Sequence, residues 1–508
     1  MKFIKIALTK YVWLILAMLS LFFASGDSPI EIAVWLSPLL LLRFFREVKL
    51  WKGFVFTLPL MVAISLIADK GMLPIPFNIV VRLTVINSVI ALIPYVFDRL
   101  LNRSLPKIIR TLLFPMTAVA VEVFVTSRFS GGTWGNPAYG INNLPLLQIV
   151  SVTGIWGIMF LIYWTASVLN EVWEHTHHFD DIRRTSTIFL TTLIVVYSFG
   201  LWRIHQEKPA DNMIRVAGIT PGPSYRGEMM EIFGKIFSAN RTGEFDAGSI
   251  KANGEKKFQE LLSESIKTAN SGVEIVAWSE IATFIFKSDE EMYIQQAIQS
   301  AMEHEFYFIM GLMVLHDNCQ ELLANKQPFV ENKLLFISPT GNVDWEYLKS
   351  NLAPGYEKIM TIPGDGILKS SKAEKGTLIG AICYDMDFPK HIRQAGLMKC
   401  DLLISPSLDW PEIKNTHTKM ARMRAIENGI SLLRPSNSGL SIAVDPYGNI
   451  LSSIDDFTSN GAPLISSLPM RSVQTLYATF GDFWTWICAF GGIILIILGI
   501  VRIRKYKF

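Results

Sequence analysis

The chain of 508 residues has little charge, because Asp, Glu, Lys and Arg together make up 18% of it while hydrophobic residues make up 50%. This balance excludes an ordinary soluble protein, and the length exceeds that of a typical single domain. The net charge of +3 gives no reason to propose a nucleic-acid partner. No internal repeat and no low-complexity stretch is present in the sequence.

Cysteine is also scarce. The four cysteines are Cys319, Cys383, Cys400 and Cys488. No CxxC motif and no Cys/His cluster indicates a metal site. Cys488 lies in an apolar stretch, so the middle of the chain holds an odd number of cysteines, and at least one of them is expected to be a free thiol.

Long apolar runs, in contrast, are abundant. Each is close to the ~20 residues that a helix needs to cross a bilayer. We predict eight spans, at roughly 8–25, 29–46, 50–68, 76–98, 108–126, 146–170, 186–205 and 482–502. The first run could be a cleaved signal peptide, but no small-x-small cleavage site followed by a mature domain is present, which favours a retained helix. The sequence thus predicts a membrane domain of seven helices (1–206), a soluble domain (207–480), and an eighth span with a basic tail (481–508).

Basic residues in the short loops predict the orientation. They cluster at the N-terminus, in alternate loops and at the C-terminus: Lys2, Lys5 and Lys10; Arg43, Arg46, Lys49 and Lys52; Arg99, Arg103, Lys107 and Arg110; Arg183 and Arg184; and Arg502, Arg504, Lys505 and Lys507. Eight spans then place both termini in the cytoplasm and the soluble domain outside. His175, His177 and His178 fall in a cytoplasmic loop, where a solvated surface is the favoured interpretation.

Several residues near the predicted spans have two interpretations. Arg82 and Glu122 lie inside apolar stretches, where they could pair or line a cavity, or else lie near the interface and snorkel. Four aromatic residues follow or end the fifth span and could form an interfacial lip, although aromatic residues are enriched at interfaces whatever their role: Phe124, Phe129, Trp134 and Tyr139.

The middle of the chain alternates short, nearly all-apolar runs with helical stretches. Such runs are typical of strands buried on both faces of an α/β fold. The predicted strands are Ile214–Thr220, Val273–Ser279, Phe306–Val314, Lys333–Ser338, Thr377–Cys383, Asp401–Ser405, Ser431–Pro435 and Ser441–Val444, and the predicted helices are 251–269, 288–304, 387–397 and 414–428. Turn signals at 339–342 and 445–449 predict hairpins. We expect an α/β sandwich in which helices cover sheets.

Polar residues at three strand ends could converge on one site. Glu280 follows the predicted strand Val273–Ser279. Lys349 lies in a later loop, and Cys383 ends another apolar run. A thiolate is the reactive form of cysteine and a nearby ammonium lowers its pKa, while a carboxylate can accept the thiol proton. Taken alone, Cys383 is typical of a small buried apolar residue, Glu280 of a solvated acid in a loop and Lys349 of a surface lysine. Their combination favours a nucleophilic site.

The motifs around these residues resemble the nitrilase superfamily, whose catalytic set is Glu, Lys and Cys. Its Trp-Pro-Glu is similar to Trp278-Ser279-Glu280, its lysine motif to Tyr347–Glu357, and its cysteine motif to Cys383–Pro389. Eight spans around such a domain resemble the membrane-bound branch of that superfamily, the apolipoprotein N-acyltransferases. Further matches to the family are His417, Arg424–Glu427 and Asn437–Ser441, for which support behind the cysteine is the favoured role.

The chain departs from the family pattern at several places. Ser279 replaces a proline, Asp385 replaces a glutamate, and Gly355-Tyr356 replaces Phe-Gly. The stretch Ser405–Trp410 also differs from the family's Ser-Asn-Asp-x-Trp-Phe. The three catalytic identities are unaffected, but the loops that accept the substrates differ.

The resemblance implies an α-helical membrane bundle joined to an αββα nitrilase-like sandwich. It implies a ping-pong N-acyltransferase in which Glu280, Lys349 and Cys383 are catalytic, with Glu357, Tyr384, Asp385 and Asn437 as supporting or substrate-binding residues. The acyl donor would be a membrane phospholipid and the acceptor a diacylated apolipoprotein, with no metal and no cofactor. The implied protein is a monomer in the bacterial inner membrane with an extracytoplasmic catalytic domain.

Two other hypotheses remain at this point. A membrane-tethered amidase would use water to resolve the thioester, although one span would suffice as an anchor. A non-catalytic transport or assembly protein could retain the fold, although the intact Glu/Lys/Cys set argues against it.

Overall fold

A computed structural model of the chain describes residues 2–128, 131–175, 179–206, 212–242, 246–459 and 461–505. The chain forms two compact units. The first, called the membrane unit, comprises Met1–Gln206 and Phe480–Phe508, and the second, called the α/β unit, comprises Glu207–Thr479.

Helices build the membrane unit. They are α1 (Lys2–Ala24), α2 (Glu31–Glu47), α3 (Leu50–Ala68), α4 (Phe77–Ala91), α5 (Ile93–Leu101), α6 (Lys107–Arg128), α7 (Leu144–Leu147), α8 (Val150–Thr153), α9 (Ile155–Glu174), α10 (Phe179–His205) and α19 (Phe483–Lys505), with 3₁₀ turns at Asn102–Ser104 and Pro137–Gly140. Among the described residues, six helical segments are long and apolar enough to cross a membrane: α3, α4 with α5, α6, α9, α10 and α19. This confirms a multi-span helical bundle.

The other predicted spans differ in detail from the helices observed. The stretch predicted at 29–46 forms α2, which has only 17 residues and carries Arg43 and Arg46 near its end. The stretch predicted at 146–170 is not one helix, because Gly154 has φ 64° and separates α8 from α9. Residues with a Cβ rarely adopt that backbone conformation, whereas glycine adopts it readily.

The charges and aromatic residues near the spans are resolved in part. Arg82 and Glu122 make no ion pair with each other or with any other described residue, and Arg82 is exposed. In the predicted lip, Phe124 is exposed, whereas Tyr139 is buried and its hydroxyl lies 2.6 Å from that of Thr133, so the prediction for Tyr139 is wrong. Phe129, His177 and His178 lie outside the described residues.

The α/β unit alternates strands and helices. Its helices are α11 (Tyr225–Thr242), α12 (Ala247–Ala269), α13 (Glu290–Glu303), α14 (Cys319–Ala324), α15 (Glu357–Met360), α16 (Pro389–Leu397), α17 (Lys414–Asn428) and α18 (Leu476–Phe480). Its strands are β1 (Met213–Ile219), β2 (Ile275–Trp278), β3 (Thr283–Phe286), β4 (Tyr307–Leu315), β5 (Val330–Ile337), β6 (Val343–Leu348), β7 (Ser370–Ala373), β8 (Gly376–Gly380), β9 (Leu402–Ile404), β10 (Ser407–Leu408), β11 (Ser431–Arg434), β12 (Ser436–Asn437), β13 (Leu440–Val444), β14 (Ile450–Asp455) and β15 (Leu464–Pro469).

Most strands belong to two sheets. One has the order β15-β1-β2-β4-β5-β6, with β3 also paired to β4, and the other has the order β14-β13-β11-β9-β8-β7. The central neighbours β1, β2 and β4 are parallel, as are β8, β9 and β11. Both predicted hairpins are confirmed, since β5 pairs antiparallel with β6 and β13 with β14.

A core between the two sheets explains the all-apolar strands. Val216 and Phe336 of the first sheet share one buried cluster with Leu403 and Leu433 of the second. On its other face the first sheet packs against α12 and α13 through a second cluster that includes Trp278. Helix α17 contacts β11 and β13 of the second sheet. Buried residues of α16 and α17 belong to the same cluster that the two sheets share. This arrangement is the predicted αββα sandwich.

Candidate active site

Glu280 lies just past the end of β2 and is only 2% exposed. Its Oε1 accepts hydrogen bonds from Lys349 Nζ (2.9 Å) and Asn332 Nδ2 (2.8 Å). Its Oε2 accepts one from the backbone N–H of Leu408 (2.8 Å). Three donors from three other segments therefore hold a buried carboxylate in one orientation, which offsets the cost of removing it from water.

Lys349 follows β6 and is almost completely buried. Its ammonium lies 2.9 Å from Glu280 Oε1 and 2.7 Å from Glu357 Oε1. Burial alone would lower the pKa of this ammonium, but the two carboxylates raise it well above its usual value. Lys349 is therefore a permanent cation at neutral pH. Because an ammonium has three N–H donors, one donor remains beyond these two contacts with described residues.

Cys383 is not the last residue of its strand, as predicted, because β8 ends at Gly380. It begins a 3₁₀ turn, Cys383–Asp387, with φ 46°, in the left-handed region that non-glycine residues rarely adopt. Its backbone N–H donates to the carbonyl of Pro406 (2.9 Å), and its Sγ lies 3.8 Å from the carbonyl oxygen of Leu408.

The backbone of Leu408 connects the thiol to the carboxylate. Its N–H donates to Glu280, and its carbonyl accepts from the sulfur of Cys383. The two side chains are thus held on either side of one residue of β10, and the three predicted residues Glu280, Lys349 and Cys383 lie in one buried cluster.

The electrostatic environment favours the neutral form of the Cys383 thiol. Burial and the charge of Glu280 raise the pKa of the Cys383 thiol well above its usual value, and the opposing effect of Lys349 is smaller. The ammonium of Lys349 lowers the pKa of the thiol, as the sequence indicated, but its effect is too small to make the thiolate the resting form. A nucleophilic thiolate here requires transfer of the proton as the reaction begins.

Glu357 and Asp385 organise the two loops around this cluster. Glu357 Oε2 accepts a hydrogen bond from the N–H of Ala353 (2.5 Å), while its Oε1 contacts Lys349. Burial and the neighbouring Glu280 raise the pKa of Glu357, whereas Lys349 opposes them. Asp385 accepts from both the N–H and Nδ2 of Asn351 (2.8 and 2.9 Å), which ties the cysteine turn to the loop that carries the lysine.

The remaining predicted residues lie beside the cluster. Tyr384 is half-buried and packs edge-on against Phe388. Asn437 is buried, and its Nδ2 donates to the carbonyl of Gly222 (3.0 Å), while its own carbonyl accepts from the N–H of Asp409 (3.0 Å). Its Oδ1 accepts from the hydroxyl of Ser438 (3.1 Å), and none of these contacts involves the thiol.

His417, Asp409 and Arg434 form a buried ionic group behind the cysteine. His417 Nδ1 lies 2.7 Å from Asp409 and its Nε2 3.1 Å from Asp387, and Arg434 Nη2 donates to both oxygens of Asp409. Burial lowers the pKa of His417, but the two carboxylates raise it to about 9.

Two family models match separate parts of the chain. The carbon-nitrogen hydrolase model matches residues 247–476, and the model of the apolipoprotein N-acyltransferase N-terminal domain matches residues 17–168. The chain belongs to the apolipoprotein N-acyltransferase family. Both halves of that family, the helical one and the nitrilase-like one, are therefore present in a single chain.

Similarity to individual members of the apolipoprotein N-acyltransferase family extends over most of the chain. The apolipoprotein N-acyltransferase of Borreliella burgdorferi is 23% identical over 85% of this chain and 87% of its own length. That of Shewanella oneidensis is 24% identical over 78% of this chain and 74% of its own length. Among solved structures, an amidase from Nesterenkonia sp. is 16% identical over 55% of this chain and 98% of its own, with a TM-score of 0.40.

Asn332, which the sequence motifs did not indicate, contacts both acids of the cluster. Its Nδ2 lies 2.8 Å from Glu280 Oε1 and 3.2 Å from Glu357 Oε1. The signal was present, because an asparagine with charged neighbours interrupts the apolar strand β5. The predicted strand began one residue later, at Lys333, so Asn332 was left out.

Three ligand-type atoms, from Cys383, Asp409 and His417, lie within 4.8 Å of one another. In this family member, however, the imidazole of His417 is held between two carboxylates with a pKa of about 9, so it is a cation at neutral pH. Arg434 also binds Asp409. A protonated imidazole offers no lone pair to a metal, so these residues form an ion-pair group and do not fit a metal ion.

Proposed function

We propose that this protein transfers an acyl chain from a membrane phospholipid, through a thioester on Cys383, to the N-terminal amine of the diacylglyceryl-cysteine of apolipoproteins. The observation that carries this proposal is the buried cluster of Glu280, Lys349 and Cys383 in a chain that also has membrane-spanning helices. Similarity to apolipoprotein N-acyltransferases over both parts of the chain supports the choice of substrates.

In the first step, Glu280 takes the thiol proton while the sulfur of Cys383 attacks the carbonyl carbon of a phospholipid ester. A C–S bond forms, and the carbonyl oxygen becomes an oxyanion that the third N–H of Lys349 stabilises. Collapse breaks the ester C–O bond, and Glu280 returns the proton to the departing alkoxide. A lysophospholipid leaves, and the acyl chain remains as a thioester.

In the second step, the α-amino group of the acceptor attacks the thioester carbon. Glu280 accepts a proton from the amine as the C–N bond forms, and the C–S bond then breaks. The proton passes to the sulfur, which restores the thiol of Cys383. An amide on the lipoprotein is the product, and the raised pKa of Cys383 suits this return to the neutral thiol.

Glu357, Tyr384, Asp385 and Asn437 have supporting or substrate-binding roles in this proposal. Glu357 shares Lys349 with the base, and Asp385 joins the loops of the lysine and the cysteine. We further propose that the chain is a monomer of the bacterial inner membrane, with residues 207–480 on the extracytoplasmic face and both termini in the cytoplasm. No cofactor enters the reaction as written.

The test uses the purified full chain in detergent, mixed with a phospholipid and a synthetic diacylated lipopeptide. Mass spectrometry of the lipopeptide measures the added acyl chain. The variants are Cys383→Ala and, as a matched control, Cys400→Ala, since Cys400 is an equally buried cysteine elsewhere in the core. We expect the parent and Cys400→Ala to yield the triacylated product and Cys383→Ala to yield none.

Two results would contradict the proposal. Release of free fatty acid that depends on Cys383, without acylation of the lipopeptide, would identify a hydrolase. Acylation that survives in Cys383→Ala would exclude the thioester. Without acceptor, we expect the intact parent protein to gain the mass of one acyl chain, located on Cys383.

A further inference from the structure

The membrane unit contains a polar cavity of about 390 Å³ that the reaction proposed above does not use. Four arginines line it: Arg43, Arg46, Arg103 and Arg110. The other lining residues are Glu47, Glu174 and His175. These residues come from the last turns of α2 and α9, the first turn of α6 and the 3₁₀ turn after α5, so four segments enclose one space.

Two carboxylates behind the cavity hold two of the guanidinium groups in place. Arg46 donates from Nε and Nη2 to Asp98 (2.7 and 2.9 Å) and from Nη1 to Glu171 (3.0 Å). Arg110 pairs with the other oxygen of Glu171. Asp98 and Glu171 are both at most 3% exposed. A planar guanidinium fixed by a paired carboxylate presents its remaining N–H groups in a set direction.

Donors remain after these pairs are counted. Arg110 is nine-tenths buried, and its Nε has no hydrogen-bond partner among the described residues. Arg103 is exposed and makes no hydrogen bond or ion pair with any described residue. A buried N–H donor without an acceptor is costly, and a bound oxyanion would satisfy it.

The four arginines that line the cavity are balanced by four carboxylates, so the surplus of positive charge around it comes from two further cations nearby. Glu47 and Glu174 both contact Arg43, and Asp98 and Glu171 neutralise Arg46 and Arg110. This leaves Arg103 on the wall of the cavity. Nearby, Lys10 and Arg99 donate to the backbone carbonyls of Glu47 and Val48 and make no described pair with a carboxylate. The surplus of cations attracts an anion to the mouth of the cavity.

The position of the cavity identifies the kind of anion. Trp51 and Trp173 lie at the same end of the unit and are 58% and 40% exposed, as expected for aromatic residues at the level of lipid headgroups. The same end carries the basic loops that we propose to face the cytoplasm. Basic pockets between spanning helices on that side bind the phosphates of anionic lipids.

We propose that this cavity binds a phosphate oxyanion, with Arg103 and Arg110 as its principal donors and an anionic phospholipid headgroup as its source. The headgroup binds at this site as a ligand and does not react there. It stands on contacts within the membrane unit alone, so it holds or fails independently of the acyl transfer assigned to Cys383.

The experiment measures binding to the purified full chain in detergent by native mass spectrometry and by the shift in melting temperature. The probes are phosphatidylglycerol, phosphatidylcholine and inorganic phosphate at constant ionic strength. Arg103→Gln is the informative variant, because an exposed side chain without a partner can be changed without disturbing the fold. Lys52→Gln is the matched control, since Lys52 belongs to the same basic end but does not line the cavity.

We expect Arg103→Gln to weaken binding of phosphatidylglycerol by about tenfold or more, as for the loss of a charge-assisted hydrogen bond. Lys52→Gln should bind as the parent does, and all three proteins should melt alike without lipid. If inorganic phosphate stabilises the parent as well as phosphatidylglycerol does, and Arg103→Gln abolishes this effect, the cavity binds phosphate. That result would overturn the proposal that a lipid headgroup supplies the phosphate. Equal binding by the parent and both variants would overturn the proposal.

Discussion

Because Lys349 lies between two buried carboxylates, we expect its removal to lower the stability of the protein as well as its activity. In Lys349→Met the ammonium is lost from between Glu280 and Glu357, which lie 2.9 and 2.7 Å from it. Two buried carboxylates then retain only neutral donors, namely the shared Asn332 Nδ2 and one backbone N–H each. Removing one partner of a buried ionic pair costs about 3–5 kcal/mol, because the remaining charge is left without compensation.

That cost translates into a measurable change in melting temperature. For a unit of this size, roughly 2–4 °C are lost per kcal/mol, so Lys349→Met should melt roughly 6–20 °C below the parent. The control is Lys369→Met, whose ammonium pairs with Asp365 2.8 Å away on the exposed surface. Surface pairs contribute about 0–1 kcal/mol, so this control should melt within a few degrees of the parent.

A second substitution separates the electrostatic cost from the catalytic one. Adding Glu357→Gln to Lys349→Met removes one of the two uncompensated charges, so most of the lost stability should return. Acyl transfer should remain absent in the double variant, because the group that stabilises the oxyanion is still missing. The reasoning is refuted if Lys349→Met melts like the parent, or if Glu357→Gln lowers its melting temperature further.

Three further predictions concern residues around the site. Asp385→Asn should lower acyl transfer at least tenfold with little loss of secondary structure by circular dichroism, because an amide nitrogen would face donors that now bind a carboxylate; full activity would contradict this. The pKa of His417 rises from 6.5 in the unfolded chain to about 9 in the folded chain, so the protonated imidazole stabilises the fold by about 3 kcal/mol below pH 6.5. This stabilisation is lost as the pH rises through 9. The melting temperature of the parent should therefore fall over that range, and that of His417→Gln should fall less. Gly311→Ala places a Cβ 2.1 Å from the carbonyl oxygen of Ser279, beside the base, so activity and melting temperature should both fall, whereas the unobstructed Gly234→Ala should match the parent in activity.

The strands that the sequence predicted correctly are those buried on both faces. Runs such as Phe306–Val314 and Ser431–Pro435 are nearly all apolar, and the structure has β4 and β11 there. The strands that were missed include β14 and β15, which have exposed residues along their length and lie at or next to sheet edges. Their residues resemble loop residues, since only one face or none is covered by the core.

The sequence predicted that three polar residues converge, but it did not predict the contacts that hold them. Motif spacing indicated Glu280, Lys349 and Cys383, because their family pattern survives in the sequence. Asn332 was missed because one asparagine in a strand carries no signal of what lies opposite. The lowering of the Cys383 pKa by its lysine neighbour was predicted, but the larger opposing effects of burial and Glu280 were not.

The sequence by itself determined that the chain enters a membrane, because helix length and apolar composition are local properties that no distant contact can change. It also indicated a thiol, an acid and an amine as candidates for the chemistry that we propose. Only the tertiary structure decided how these groups behave. Glu280 meets the backbone of Leu408 across 128 residues of chain and meets Asn332 across 52. The balance of burial, charge and hydrogen bonds at Cys383 depends on these long-range contacts, and no local pattern encodes it.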